Sequence, residues 1–239
     1  MRAAVDKFVF ERFPDYRRGL VVGRGVTNAL ADPDLEERLR AAERGVVELL
    51  GGEDWRAHPR LAAWLAAFGQ VGIPAGSKPP SVAALVKRVS KGASLPFINQ
   101  LVALMNITSL ENLLPCGGDD LHSVGPEIVL RAAAGTESYQ PLGKPEGVEH
   151  PDPGELTLVD TLNGVVLCRC WCWRNSDVTK LTGDTTAVAL NVDVMAPAVP
   201  FEEGEEITRR LADDILRHCG GEVGWQMLGR EHPEMLFEL

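Results

Sequence analysis

Between Asp32 and Asn106 apolar residues recur at helical spacing, and between Glu127 and Asp193 they come as short runs rich in Val, Leu and Thr. No other feature constrains the fold as much as this segregation. Alternating strands and helices would build a doubly wound parallel sheet, whereas helices in one half and strands in the other build an α+β arrangement. The sequence therefore predicts an α+β fold, a mixed or antiparallel sheet packed with helices. Its 239 residues suit one domain. Within it, a core is expected over about 77–193, a helical N-terminal part over 1–76, and a C-terminal helix and strand over 200–239.

The helices announce their ends. Asp32 caps the first, Pro33 suits its first turn, and Gly51-Gly52 closes it. Leu35, Leu39, Ala42, Val46 and Leu49 form its apolar stripe. In "HPRLAAWLAAFG" the inward residues are Leu61, Trp64, Leu65 and Phe68. Ser81 is placed to cap a third helix with Val82, Leu85, Val86 and Val89 on one face, and "LPFINQLVALMNITSL" predicts a fourth, ending near Asn106. "LLPCGGDDLHSVGPE" is turn-rich and predicts a loop. Strands are expected near Leu20–Val26 and in "EIVLRAA", "ELTLVDT", "VVLCRCWCW", "TAVALNVDV" and "GWQMLG", with a helix in "FEEGEEITRRLADDILRHC".

A net charge of −10 opposes broad binding to duplex phosphate, so DNA is not expected as a partner. No stretch approaches the ~20 apolar residues that cross a bilayer. Charges interrupt "MRAAVDKFVFERF", unlike a signal peptide. Five cysteines without a secreted pattern point to the reducing cytoplasm.

Three of those cysteines fall in "VVLCRCWCWRN". A strand through this run alternates its side chains between faces. Cys168, Cys170 and Cys172 then share one face, and Leu167, Arg169, Trp171 and Trp173 the other, with Arg174 at the end. The C-x-C-x-C spacing differs from the C-x₂₋₄-C pairs of zinc sites, and no second Cys/His pair follows at a suitable distance. Buried thiols are one reading, metal or redox chemistry the other. The opposite face is either core or a binding surface, since indoles stack on nucleobases and guanidinium groups grip phosphate. The chain shows no P-loop, no G-x-S-x-G elbow and no C-x-x-C redox motif.

Three segments, "LPFINQLVALMNITSLENLLPCGGDDL", "IVLRAAAGTESYQPLG" and "ELTLVDTLNGVVLCRCWCWRNSDVTKLTGDTTAVALNVDV", resemble in order the B3/B4 tRNA-editing region of the phenylalanyl-tRNA synthetase beta subunit. The resemblance rests on Ile98-Asn99, Val102, Asn106, Pro115, Arg131-Ala132, Gly135, Glu137, Asp160, Ser176, Val178, Thr182 and Thr185. It covers about 77–193 and lacks the synthetase's other modules, as in a free-standing relative. Departures fall in the pocket. Pro96 stands for an arginine, Gly117 for a histidine, Ala103 for an aspartate, Asn191 for an acidic residue, and Arg174-Asn175 for a pair of glycines. The scaffold is matched while the tyrosine-reading pocket is not.

The resemblance implies a cytoplasmic protein that binds the acceptor end of aminoacyl-tRNA and hydrolyses mischarged amino acid, with no cofactor and no metal. The alternative is a non-catalytic module for tRNA, RNA or a small molecule on the same scaffold. Ester hydrolysis needs a placed water, an oxyanion donor and a group for the α-amine. Asp119, Asp120 and Asp160 are the carboxylates at hand, with Asp120, Asp160 and Arg174 assigned to catalysis. Asn99, Pro115, Arg169, Trp171, Trp173, Thr182, Thr185 and Asn191 are assigned to substrate, and Lys78 and Arg88 to RNA.

Overall fold

The computed structural model describes residues 1–144 and 146–239. The fold is α+β. One sheet carries six strands in the order β10-β1-β4-β5-β6-β7: β1 Arg2–Val5, β4 Glu127–Ala132, β5 Leu156–Asp160, β6 Val165–Arg169, β7 Arg174–Asn175 and β10 Glu234–Leu236. The other carries four in the order β3-β8-β2-β9: β2 Tyr16–Arg24, β3 Cys116–Asp120, β8 Ala187–Met195 and β9 Glu222–Leu228. Among the described strands only β1 and β4 pair in parallel, the other strand pairs being antiparallel; a single parallel bridge also joins Ser138 to Val165 of β6.

The helices are α1 Lys7–Arg12, α2 Pro33–Leu50, α3 Pro59–Gln70, α4 Ser81–Val89, α5 Gln100–Asn112 and α6 Phe201–Cys219. All nine residues of β8 are buried because the strand has a core on each face. Val188, Leu190, Val192 and Val194 pack toward α2, α4, α5 and α6. Ala187, Ala189 and Met195 pack toward the six-stranded sheet, α1 and α3. The layers are therefore helices, the four-stranded sheet, and the six-stranded sheet.

The expected caps on α2 form: the Asp32 carboxylate accepts the Leu35 N–H at 3.1 Å, and Gly51 is left-handed at φ 54°. Several expectations need correction. Leu49 is exposed, and Leu50 takes the inward place. Leu65 is only half-buried, with Ala67 inward instead. Ser81 lies inside α4 and caps nothing; its N–H instead donates to the Cys172 carbonyl at 2.8 Å. The helical N-terminal part also supplies β1, which was not expected, and the strand expected near Leu20–Val26 is the nine-residue β2, Tyr16–Arg24, at the heart of the four-stranded sheet. The helix expected to stop near Asn106 runs to Asn112 and ends on left-handed Leu113.

The supposed loop after it contains β3. The two glycines hid this strand, yet its pairing depends on one of them. A Cβ on Gly118 would stand 2.0 Å from Leu190 Cδ2 and 2.9 Å from Met105 Sδ, so a larger residue there would have to displace both side chains between β8 and α5. The cysteine run is also not one strand. Cys170 and Trp171 have φ of 48° and 64°, so the chain turns between β6 and β7. Alternation fails there, and Trp171 joins Cys168, Cys170 and Cys172 in a single core.

Candidate functional site

A cavity of about 610 Å³ lies where β3, the β6–β7 turn, α4 and α5 meet. Leu85 from α4, Val102 and Met105 from α5, and Leu142 and Leu181 from loops make its walls mostly apolar. Arg174, Trp173 and Lys180 bring it to solvent, while Arg18, Asp119 and Asn191 mark its buried end.

Strand register assembles the buried end. Gly117 pairs with Asn191 and Asp119 with Ala189, so Gly117 and Asp119 share one face of β3 and Asn191 lies across from them. Two residues on, Asp193 is held by Tyr16 Oη at 2.6 Å, Arg18 Nη1 at 2.9 Å and Asn191 Nδ2 at 3.0 Å. Burial pushes the Asp193 carboxyl upward and Arg18 pulls it back, leaving it raised. The same aspartate keeps Arg18 firmly protonated despite the guanidinium's own burial.

Asp119 is 3 % exposed and accepts one hydrogen bond among the described residues, from Thr179 Oγ1 at 2.5 Å. Loss of water pushes its carboxyl up to about 6, against the Thr179 bond and the nearby Arg18 charge. A carboxylate with a raised pKa at the blind end of a cavity suits proton transfer near neutral pH.

Of the residues assigned from sequence, Arg174, Trp171, Trp173 and Asn191 line the cavity. Arg174 is exposed and donates to the Leu142 carbonyl at 3.0 Å. Lys78 stands outside the lining, 5.6 Å above the Trp173 ring and 3.7 Å from Glu155. The others are engaged elsewhere. Asp120 points to the opposite face of β3 from Asp119 and accepts from Thr185 Oγ1 at 2.6 Å, and Thr185 in turn accepts the Thr182 N–H. Asp160 closes the β5–β6 turn through the N–H groups of Gly125, Leu162 and Asn163. Asn99 caps α5 and ties it to the Leu181 carbonyl. The Pro115 carbonyl accepts the Asp193 N–H, and Arg88 donates to the Ser94 carbonyl.

Arg169 does not face an open cleft. It is buried, paired in a fork with Glu155 at 2.9 and 2.6 Å and with Glu149 at 2.9 Å. Trp171 is 1 % exposed, with Phe13, Tyr16 and Trp64 rings 4.7, 5.1 and 5.2 Å away. It belongs to the core and touches the cavity from there.

Cys116, Cys168 and Cys172 also reach the cavity wall, and burial holds all three thiols above their usual pKa, so they stay protonated. Among the described residues no group of three or more His, Cys, Asp and Glu side chains converges as a metal site. No described helix is long and apolar enough to cross a membrane. Arg18 was missed from sequence because it lies far upstream on β2, and Asp120 was assigned to catalysis in place of its neighbour Asp119 because β3 was read as a loop, where no alternation of faces separates the two.

The B3/4 domain family matches residues 63–210, more than half of the chain. Among solved structures, an N-terminal fragment of the phenylalanyl-tRNA synthetase beta-subunit from Pyrococcus horikoshii is similar at 14 % identity and a TM-score of 0.46. The similarity covers 92 % of this chain and 49 % of that one, so the chain spans about half of the fragment's length. No curated protein matches the sequence.

Proposed function

Since the chain belongs to the B3/4 domain family, we propose that it binds the aminoacylated 3′ end of tRNA and hydrolyses mischarged amino acid from it. The observation that carries this reading is the buried Asp119 carboxylate, raised to about 6, at the inner end of a cavity of about 610 Å³. That volume falls in the range of small-ligand sites.

In this reading Asp119 accepts a proton from a water as its oxygen bonds to the ester carbonyl carbon. Arg18, on the same lining, supports the negative charge that develops on the carbonyl oxygen. The bond from that carbon to the ribose oxygen then breaks. Asp119 returns the proton to the departing hydroxyl, and the amino acid leaves as the carboxylic acid. Arg174 and Lys180, the latter paired with Asp177 at 2.8 Å, are exposed cations on the lining that serve the terminal phosphates in this reading, and Trp173 offers a surface for a base.

A second reading, a non-catalytic tRNA, RNA or small-molecule binding module, is favoured by Gly117, which stands where the resemblance expects a histidine. Incubation of the protein with a panel of misacylated tRNAs separates the two. Ester loss above the buffer rate on at least one tRNA is expected; binding without ester loss across the panel supports the second reading.

A further inference from the structure

The face of β3 that carries Gly117 holds two carboxamides whose orientation chemistry fixes. Asn191 Nδ2 lies 3.0 Å from an Asp193 carboxylate oxygen, which only accepts. Asn175 Nδ2 lies 2.9 Å from the Gly118 carbonyl oxygen, which also only accepts. Each amide nitrogen must therefore stay where it is, and each Oδ1 must point away from its partner. Both oxygens converge over Gly117. A Cβ built on that glycine would stand 3.2 Å from Asn191 Oδ1 and 3.8 Å from Asn175 Oδ1. Neither oxygen accepts a hydrogen bond among the described residues. All three residues line the cavity. Glycine therefore leaves a space that is ringed by acceptors and open to a ligand.

Charge decides which donor fits. Asp119, two residues along the same face, adds a carboxylate, and Arg18, the one buried cation on the cavity lining among the described residues, is already bonded to Asp193. Two carboxylates against one guanidinium leave the buried end one positive charge short. A ligand hydroxyl would satisfy the oxygens and leave that deficit, while a primary ammonium meets both.

We infer that Asn175 Oδ1 and Asn191 Oδ1, above Gly117, form a subsite for the α-ammonium of the ligand. The ligand class is an aminoacyl terminus with a free α-amine, and N-acylated or peptidyl termini are excluded. The inference rests on the deacylase reading for the rest of the ligand, but its test does not need hydrolysis.

The probes are 3′-leucylamino-3′-deoxyadenosine, a non-hydrolysable amide, and its N-acetyl derivative, titrated by calorimetry at pH 7.5. The free amine is expected to bind at least tenfold more tightly. Gly117→Ala, which fills the space at a backbone position with no positive φ, is expected to erase that preference. Asn175→Ala is expected to weaken it and serves if the first variant does not fold. Equal affinity of the two probes, binding of neither, or a preference surviving in both variants overturns the subsite. Ester loss without amine preference removes this inference alone; amine preference without ester loss removes the deacylase reading alone.

Discussion

Arg18 and Asp193 meet at 2.9 Å with 5 % and 0 % of their side chains exposed, one pair of β-strand neighbours holding the buried end of the cavity together. Removing one partner from such a pair strands the other without solvent, at a cost of about 3–5 kcal/mol. Asp193→Ala is therefore expected to lower unfolding stability by that amount in a urea titration. Arg18→Met combined with Asp193→Leu is expected to recover most of it, since neither charge is then left alone.

Asp119 ties stability to pH in the opposite sense from a paired carboxylate. Its folded pKa, about 6, lies above the unfolded value of 3.8, so the folded state holds its proton more tightly. Its contribution is most favourable below pH 4 and is lost as pH rises through 6. Thr179 bonds it, and the charged or titratable groups that influence it are Arg18, Cys168 and, from the opposite face of β3, Asp120. Asp119→Asn is expected to stabilise the protein by about 2–3 kcal/mol at pH 8, with the advantage vanishing toward pH 4 in thermal melts. A group placed for chemistry at the expense of stability behaves in this way.

The fork between Arg169 and Glu155 serves the fold. Arg169→Ala is expected to destabilise by about 3 kcal/mol or more, because Glu155 would remain buried beside the Cys170 N–H. The salt dependence of tRNA binding, measured on the same variant below its melting point, is expected to stay unchanged.

Arg174 is the contrasting arginine, exposed at the cavity. Arg174→Ala is expected to weaken tRNA binding and reduce the slope of log K against log salt by about 1, as loss of one phosphate contact does. Cys170→Ala, in the buried turn, is expected to leave that slope intact.

Periodicity revealed much of this architecture. The helices α2 and α6 and the strands β4, β5 and β8 stand where their apolar spacing puts them. What escaped was set by tertiary contact. The strand β3 is Cys-Gly-Gly-Asp-Asp, with no strand-forming residue, and is a strand through its pairing with β8, where Gly118 keeps clear of the Leu190 and Met105 side chains. The left-handed pair Cys170 and Trp171 breaks an alternation that the letters alone make perfect. Once β3 was taken for a loop, no facing separated the two aspartates, and catalysis was assigned to Asp120, whereas it is Asp119 that lines the cavity. Once β6 was extended through the turn, Arg169 looked open, although its partners Glu149 and Glu155 lie 20 and 14 residues upstream.

The central claim is that Asp119 drives ester hydrolysis from within this cavity. Single-turnover ester loss from a misacylated tRNA, followed from pH 5 to 8 for the wild type and Asp119→Asn, tests it most directly. The account predicts a wild-type rate that rises through about pH 6 to a plateau, and a variant slowed at least a hundredfold that still binds the tRNA. A variant as fast as the wild type, or a profile flat across that range, would contradict it.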